Sequence, residues 1–191
     1  FGELPKKIKT EVICNECYES CASLVKGIKE KNQRLAPSFI FVDPYGFKVP
    51  FSILRELMSF ECVELFVNVI WRELSMAIAQ ATEKKGMAET LNYIFDGDGW
   101  RSLVGLEFEE QAHKCIELLK GMIGARWATY VRMLGKNNVT RYILMHLTNH
   151  DAGRELMKDC IWKVCPYGGF YARQIEDFHQ ELLITPEPDL T

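Results

Sequence analysis

The chain has 191 residues and a mass of 22.1 kDa, with 48% hydrophobic and 26% charged residues. That size and balance suit one globular domain with a real core, and exclude a composition biased toward disorder. A net charge of −3 gives no global attraction to nucleic acid, so any such binding would need a local basic patch. No apolar run approaches the roughly 20 residues that span a bilayer, and no signal peptide opens the chain. A soluble, cytoplasmic protein without a membrane partner is therefore expected.

The predicted elements follow in order. "TEVICN", Thr10–Asn15, is short and β-branched, as a strand is, and Glu16 follows it into a helical stretch reaching about Glu30. Phe39–Val42 is a continuous apolar run, which predicts a strand buried on both faces of a parallel sheet. Pro50 can open a helix through about Phe60, with an apolar stripe at Ile53, Leu54, Leu57 and Met58. A third buried strand is predicted over 64–70 and a helix over 72–83, ending at a connector marked by Lys85 and Gly86. Met87–Phe95 reads as a short helix, and "FDGDGWRSLVG" as turns. Glu107–Ile123 is a long amphipathic helix. Two strand-like runs, Ala128–Leu134 and Thr140–Leu147, are separated by only five residues, too few for a crossover, so they should pair antiparallel. A last helix is expected from about His150 or Asp151 to before Pro166, and then a weakly ordered tail, 166–191.

Alternating strands and helices predict an α/β fold, a Rossmann-like, mostly parallel sheet ending in an antiparallel hairpin, with helices on both faces. That pattern is characteristic of class I methyltransferases. Residues 1–165 form a single domain in this reading, with a helical and turn-rich insertion at 84–106.

Seven cysteines, at 14, 17, 21, 62, 115, 160 and 165, are odd in number and set among apolar residues, which suits a reduced compartment. "CNECYESC" invites a metal site at Cys14, Cys17 and Cys21. No second Cys or Cys/His pair follows at finger spacing, and Cys17 and Cys21 one turn apart on one helix face is the favoured explanation. No metal ligand is assigned.

Ligands of such sheets collect beyond the carboxyl ends of the parallel strands, and Asp43 stands there. A carboxylate inside the sheet is costly, whereas at the strand end it can meet water or ligand. Pro44 disfavours helical geometry at Asp43, and Gly46 permits a tight turn that fixes Tyr45 near a cavity. Asp-Pro after a strand is also an ordinary turn, so the tetrapeptide alone does not decide the matter. Amino-methyltransferases acting on exocyclic base nitrogens carry a similar turn of Asp or Asn, Pro, Pro and an aromatic. Here the second proline is replaced, since the order is Asp43, Pro44, Tyr45, Gly46.

"FIFVDPYGFKVPFSILREL", "FVNVIWREL", "IFDGDGWRSL" and "RYILMHLTNHDAGRELMKDCIWKV" together resemble successive motifs of the three-Cys-motif partner protein family, over roughly residues 38–165. The family resembles Rossmann-fold methyltransferases and is named for a neighbouring protein with three cysteines. The resemblance implies Asp43, Pro44, Tyr45 and Gly46 as the reaction-side turn. It implies Glu16, at the end of an earlier strand, as the acid that holds the ribose hydroxyls of S-adenosylmethionine, although an exposed acid at a helix N-terminus reads equally well. Trp100 and Arg101 match the family's Trp-Arg pair, with a buried aromatic beside a surface arginine as the safer reading. Asn68, polar in an apolar strand, needs a hydrogen-bond partner in the site or in the core. Thr148, Asn149 and His150 follow a strand running the other way, so they should lie far from Asp43, with Asn149 or Asp151 capping the next helix. His113 and His179 are expected in solvent and His146 in the hairpin.

No glycine-rich turn precedes Glu16, and the interval from Glu16 to Phe39 is short for helix, strand and helix. Upstream and internal segments are therefore expected to be missing from these 191 residues. The sequence predicts a methyltransferase-like protein using S-adenosylmethionine on a nucleic-acid amine, or else a non-catalytic subunit working with the neighbouring three-cysteine protein. Hydrolysis with Asp43 as a metal-bound carboxylate has little support, because no second carboxylate motif converges on it.

Overall fold

The computed structural model describes residues 11–48, 50–135 and 139–164, together with the backbone of 171–173. Among the described residues, six α-helices and a mixed sheet make an α/β fold: α1 Cys17–Glu30, β1 Ser38–Val42, α2 Phe51–Met58, β2 Val63–Val69, α3 Trp71–Gln80, α4 Lys85–Ile94, α5 Phe108–Ile123, β3 Trp127–Leu134, β4 Thr140–Thr148, α6 Asp151–Val164 and β5 Tyr171–Arg173. A short 3-10 turn spans Gly99–Leu103. The long α5 ends where Gly124 takes the left-handed conformation, φ 77°, that lets the chain turn into β3.

The strand order is β1-β2-β4-β3-β5. β1 pairs parallel with β2 and β5 with β3, whereas β4 runs antiparallel to both β2 and β3. The sheet is therefore not mostly parallel, which corrects the expected architecture. The predicted hairpin does form, but its return strand β4 enters the interior of the sheet and is not an end strand. One reversed strand placed inside a sheet converts two of its pairings to antiparallel.

Alternation explains which face is packed. Val63, Leu65, Val67 and Val69 of β2, with Ile143, Met145 and Leu147 of β4, bury one face against α2, α3 and α5. Trp71, Leu74 and Ile78 of α3, and Leu54 and Leu57 of α2, fill the same core. Val25 of α1 joins it beside Ile40 and Val42 of β1. The other face is covered by α6, which packs on β3 and β4, where Gly153 lies against Glu64 and Thr148. Helices thus lie on both faces, unevenly.

Three local expectations fail. Residues 11–15 form no strand with the described residues. Phe39–Val42 is not buried on both faces: as an edge strand among the described residues, β1 leaves Phe39 60% and Phe41 56% exposed. The stretch at Lys85 and Gly86 is the first turn of α4, not a connector. Within the segment expected to be a tail, Tyr171–Arg173 adds a short strand beside β3, and the rest of 166–191 lies outside the described residues.

Candidate functional site at the carboxyl ends of β1 and β2

Asp43 is exposed directly after β1, and Asn68 stands one residue before the end of the neighbouring parallel strand β2. Parallel pairing brings both to one rim. Asn68 Nδ2 donates to Asp43 Oδ1 at 2.8 Å, which answers the question of what a polar residue does in an apolar strand. The other carboxylate oxygen of Asp43 has no partner among the described residues. Asn68 Oδ1 is buried and unpartnered among them too.

Pro44 and Tyr45 lead into Gly46, whose φ of +80° is the left-handed region open to glycine. A side chain at Gly46 would also come within 3.2 Å of Glu73 Oε2, in the first turn of α3. The turn delivers the Tyr45 ring fully into solvent. Behind it lies a hollow lined by Pro44, Gly46, Phe47, Phe51 and Asn68, among others, with room for about one water molecule.

Glu16 is exposed and occupies the N-cap position of α1, where its side chain makes no capping bond. It is thus an acid at a helix N-terminus and not the last residue of a strand. Cys17 and Cys21 do meet one turn apart on α1: burial, the proximity of Cys17 and its hydrogen bond together push the Cys21 thiol upward. Burial alone pushes the Cys115 thiol up to about 12. Among the described residues no three His, Cys, Asp or Glu side chains gather to hold a metal ion.

The remaining motif residues are structural. Trp100 is fully buried and donates from Nε1 to Asn92 Oδ1 at 2.7 Å, with the Arg101 guanidinium 4.7 Å from its ring centroid. At the opposite rim, Asn149 Oδ1 accepts from the Arg126 amide at 2.8 Å, and Asp151 Oδ1 from Trp127 Nε1 at 2.7 Å. Thr148 Oγ1 accepts from the His150 amide at 3.0 Å, and His150 Nε2 meets Glu61 O at 2.6 Å. Asn149 and Asp151 thereby fasten the start of β3, a role different from the helix cap expected of them. His113 is exposed, 3.4 Å from the Tyr130 hydroxyl. His179 lies outside the described residues.

A pair that sequence reading missed is Glu64 with His146. His146 is 0% exposed, its Nε2 lies 2.9 Å from Glu64 Oε2, and its ring is flanked by Phe39 and Phe66. The signal was available only as two polar residues in apolar strands. Their adjacency depends on β4 lying next to β2, which no local pattern states.

Comparison with protein-family models, curated proteins and solved structures finds no match for the chain.

Proposed function

We propose that the chain is a methyltransferase-like protein whose described part supplies the acceptor side of the site, taking an amine of a nucleic acid. The supporting observation is the Asn68–Asp43 hydrogen bond at the carboxyl ends of two adjacent parallel strands, beside an exposed aromatic ring. Asn68 fixes one oxygen of Asp43 and leaves the other to accept an N–H from the amine, while Tyr45 is free to stack on a base. Orientation of the amine is the contribution of these residues. In the finer architectural reading, β1, β2 and β3 point one way and β4 alone runs against them. That is compatible with the Rossmann-like sheet of class I methyltransferases.

S-adenosylmethionine is the methyl donor this reading implies. The hollow beside Asp43, with room for about one water molecule, is too small for an adenosyl group, so the described residues around it supply the acceptor side alone, and Glu16 is not at a strand end.

Calorimetry of the intact protein with S-adenosylmethionine and with its demethylated product tests the reading, paired with transfer of a labelled methyl group to DNA or RNA. Binding and transfer are expected, with Asp43→Ala abolishing transfer while retaining the heat of binding. Absence of heat removes the cofactor. The narrow hollow favours a second reading, a non-catalytic subunit of the neighbouring three-cysteine protein. Co-purification with that protein, unchanged by Asp43→Ala and without cofactor heat, would establish it.

A further inference from the structure

We propose that residues 11–15, which pair with no strand among the described residues in this structure, close the free edge of the sheet by pairing, as a parallel strand of the same chain, with β1. Two surfaces left unsatisfied among the described residues suggest it. One is the edge of β1. Ser38 donates its amide to Cys62 O of the β2 side at 2.8 Å, so backbone alternation turns the N–H and C=O groups of Phe39 and Phe41 away from β2. "SFIFV" has no charge, proline or bulge to guard that edge, and two of its five side chains are exposed phenylalanines. The other is "EVICN", in which the strand-forming Val12 is 94% and Ile13 65% exposed.

Handedness says which edge this segment fits. The crossover from β1 through α2 to β2 steps inward from the edge, with α2 on the packed face of the sheet. α1 joins α2 on that face, with Val25 in the common core and Ile40 and Val42 packed against it. Crossovers of one hand on one face step in one direction across a sheet, and parallel crossovers are almost always right-handed. A strand entering α1 must therefore lie on the side of β1 away from β2, which is the open edge. A helix of 14 residues, roughly 21 Å long, can return the chain past a five-residue strand. This pairing would end the new strand at Glu16, on the rim that holds Asp43.

Disulfide trapping tests it in the full chain, with Cys17, Cys21, Cys62, Cys160 and Cys165 changed to Ser and buried Cys115 kept. Cys14 is combined in turn with Phe41→Cys and with Val42→Cys, one on each face of β1. Mild oxidation removes two protons and two electrons from the thiol pair, which the added disulfide oxidant accepts. A bond within one chain is expected for one of the two variants. Phe39→Cys with Glu64→Cys, opposed across β1 and β2, serves as the positive control. Failure of both variants while the control closes overturns the proposal. A bond joining two chains overturns it too, in favour of strand exchange between copies. Amide hydrogen exchange gives a reading without cysteines: the Phe39 and Phe41 amides should exchange about 10-fold faster when Val12 and Ile13 are both changed to Asp, while Leu65 and Met145 stay slow. Unchanged exchange at Phe39 and Phe41 would likewise overturn the pairing.

Discussion

The two rims of the sheet treat their polar residues differently. At the rim where β4 ends, Thr148, Asn149, His150 and Asp151 each accept or make a hydrogen bond to a fixed backbone or ring group. At the rim where β1 and β2 end, Asp43 has one bond, Asn68 leaves its buried carbonyl oxygen unpartnered among the described residues, and Tyr45 extends into solvent. A motif whose polar atoms are consumed by the fold is architectural. A rim whose acceptors remain open is where a ligand can be recognised. The polar atoms of "TNHD" are thus spent on the fold, whereas "DPYG" keeps an open acceptor.

Substitutions can sharpen this contrast. The largest stability loss is expected in the shared core beneath both rims: Leu65→Ala should cost about 2–5 kcal/mol in denaturant unfolding, because a fully buried side chain leaves a cavity. Next comes Gly153→Ala. A Cβ there would collide with Glu64 and crowd Thr148, so we expect about 1–3 kcal/mol of destabilisation. The flexible Glu64 carboxylate is the obstacle, so adding Glu64→Ala should recover part of that loss in a double-mutant cycle. Asn149→Ala should cost about 1–2 kcal/mol, since it removes the acceptor of the Arg126 amide. Tyr45→Ala should change stability by no more than about 0.5 kcal/mol, the ring being fully exposed, while abolishing methyl transfer if the proposed acceptor role is right. A Tyr45→Ala loss as large as that of Asn149→Ala would erase the distinction between the rims.

Thiol chemistry separates surface from core in the same way. Cys14, Cys17, Cys62 and Cys160 are exposed, whereas Cys115 is buried with its thiol pushed up to about 12. At pH 8 a thiol reagent should modify the exposed group in the native protein and reach Cys115 only on unfolding.

Most helices and the hairpin were legible in the chain because they depend on local signals. Pro50 precedes α2, the apolar spacing of Ile53, Leu54, Leu57 and Met58 marks its buried face, and five residues between β3 and β4 leave room only for antiparallel return. Asp43 at a strand end was legible for the same reason. The bond from Asn68 was anticipated only as some partner, since the distance between two residues 25 apart depends on strand register.

What the sequence determined, then, is most of the helices, the β3–β4 hairpin and the exposed turn of Asp43, Pro44, Tyr45 and Gly46, all set by neighbours a few residues away. Only the tertiary structure decided that β4 enters between β2 and β3, that Phe39 and Phe41 face solvent, and that His146 meets Glu64. A side-chain pattern reports that a strand wants burial. It does not report which strand will lie beside it, because that choice is made by contacts between distant parts of the chain competing for the same edges.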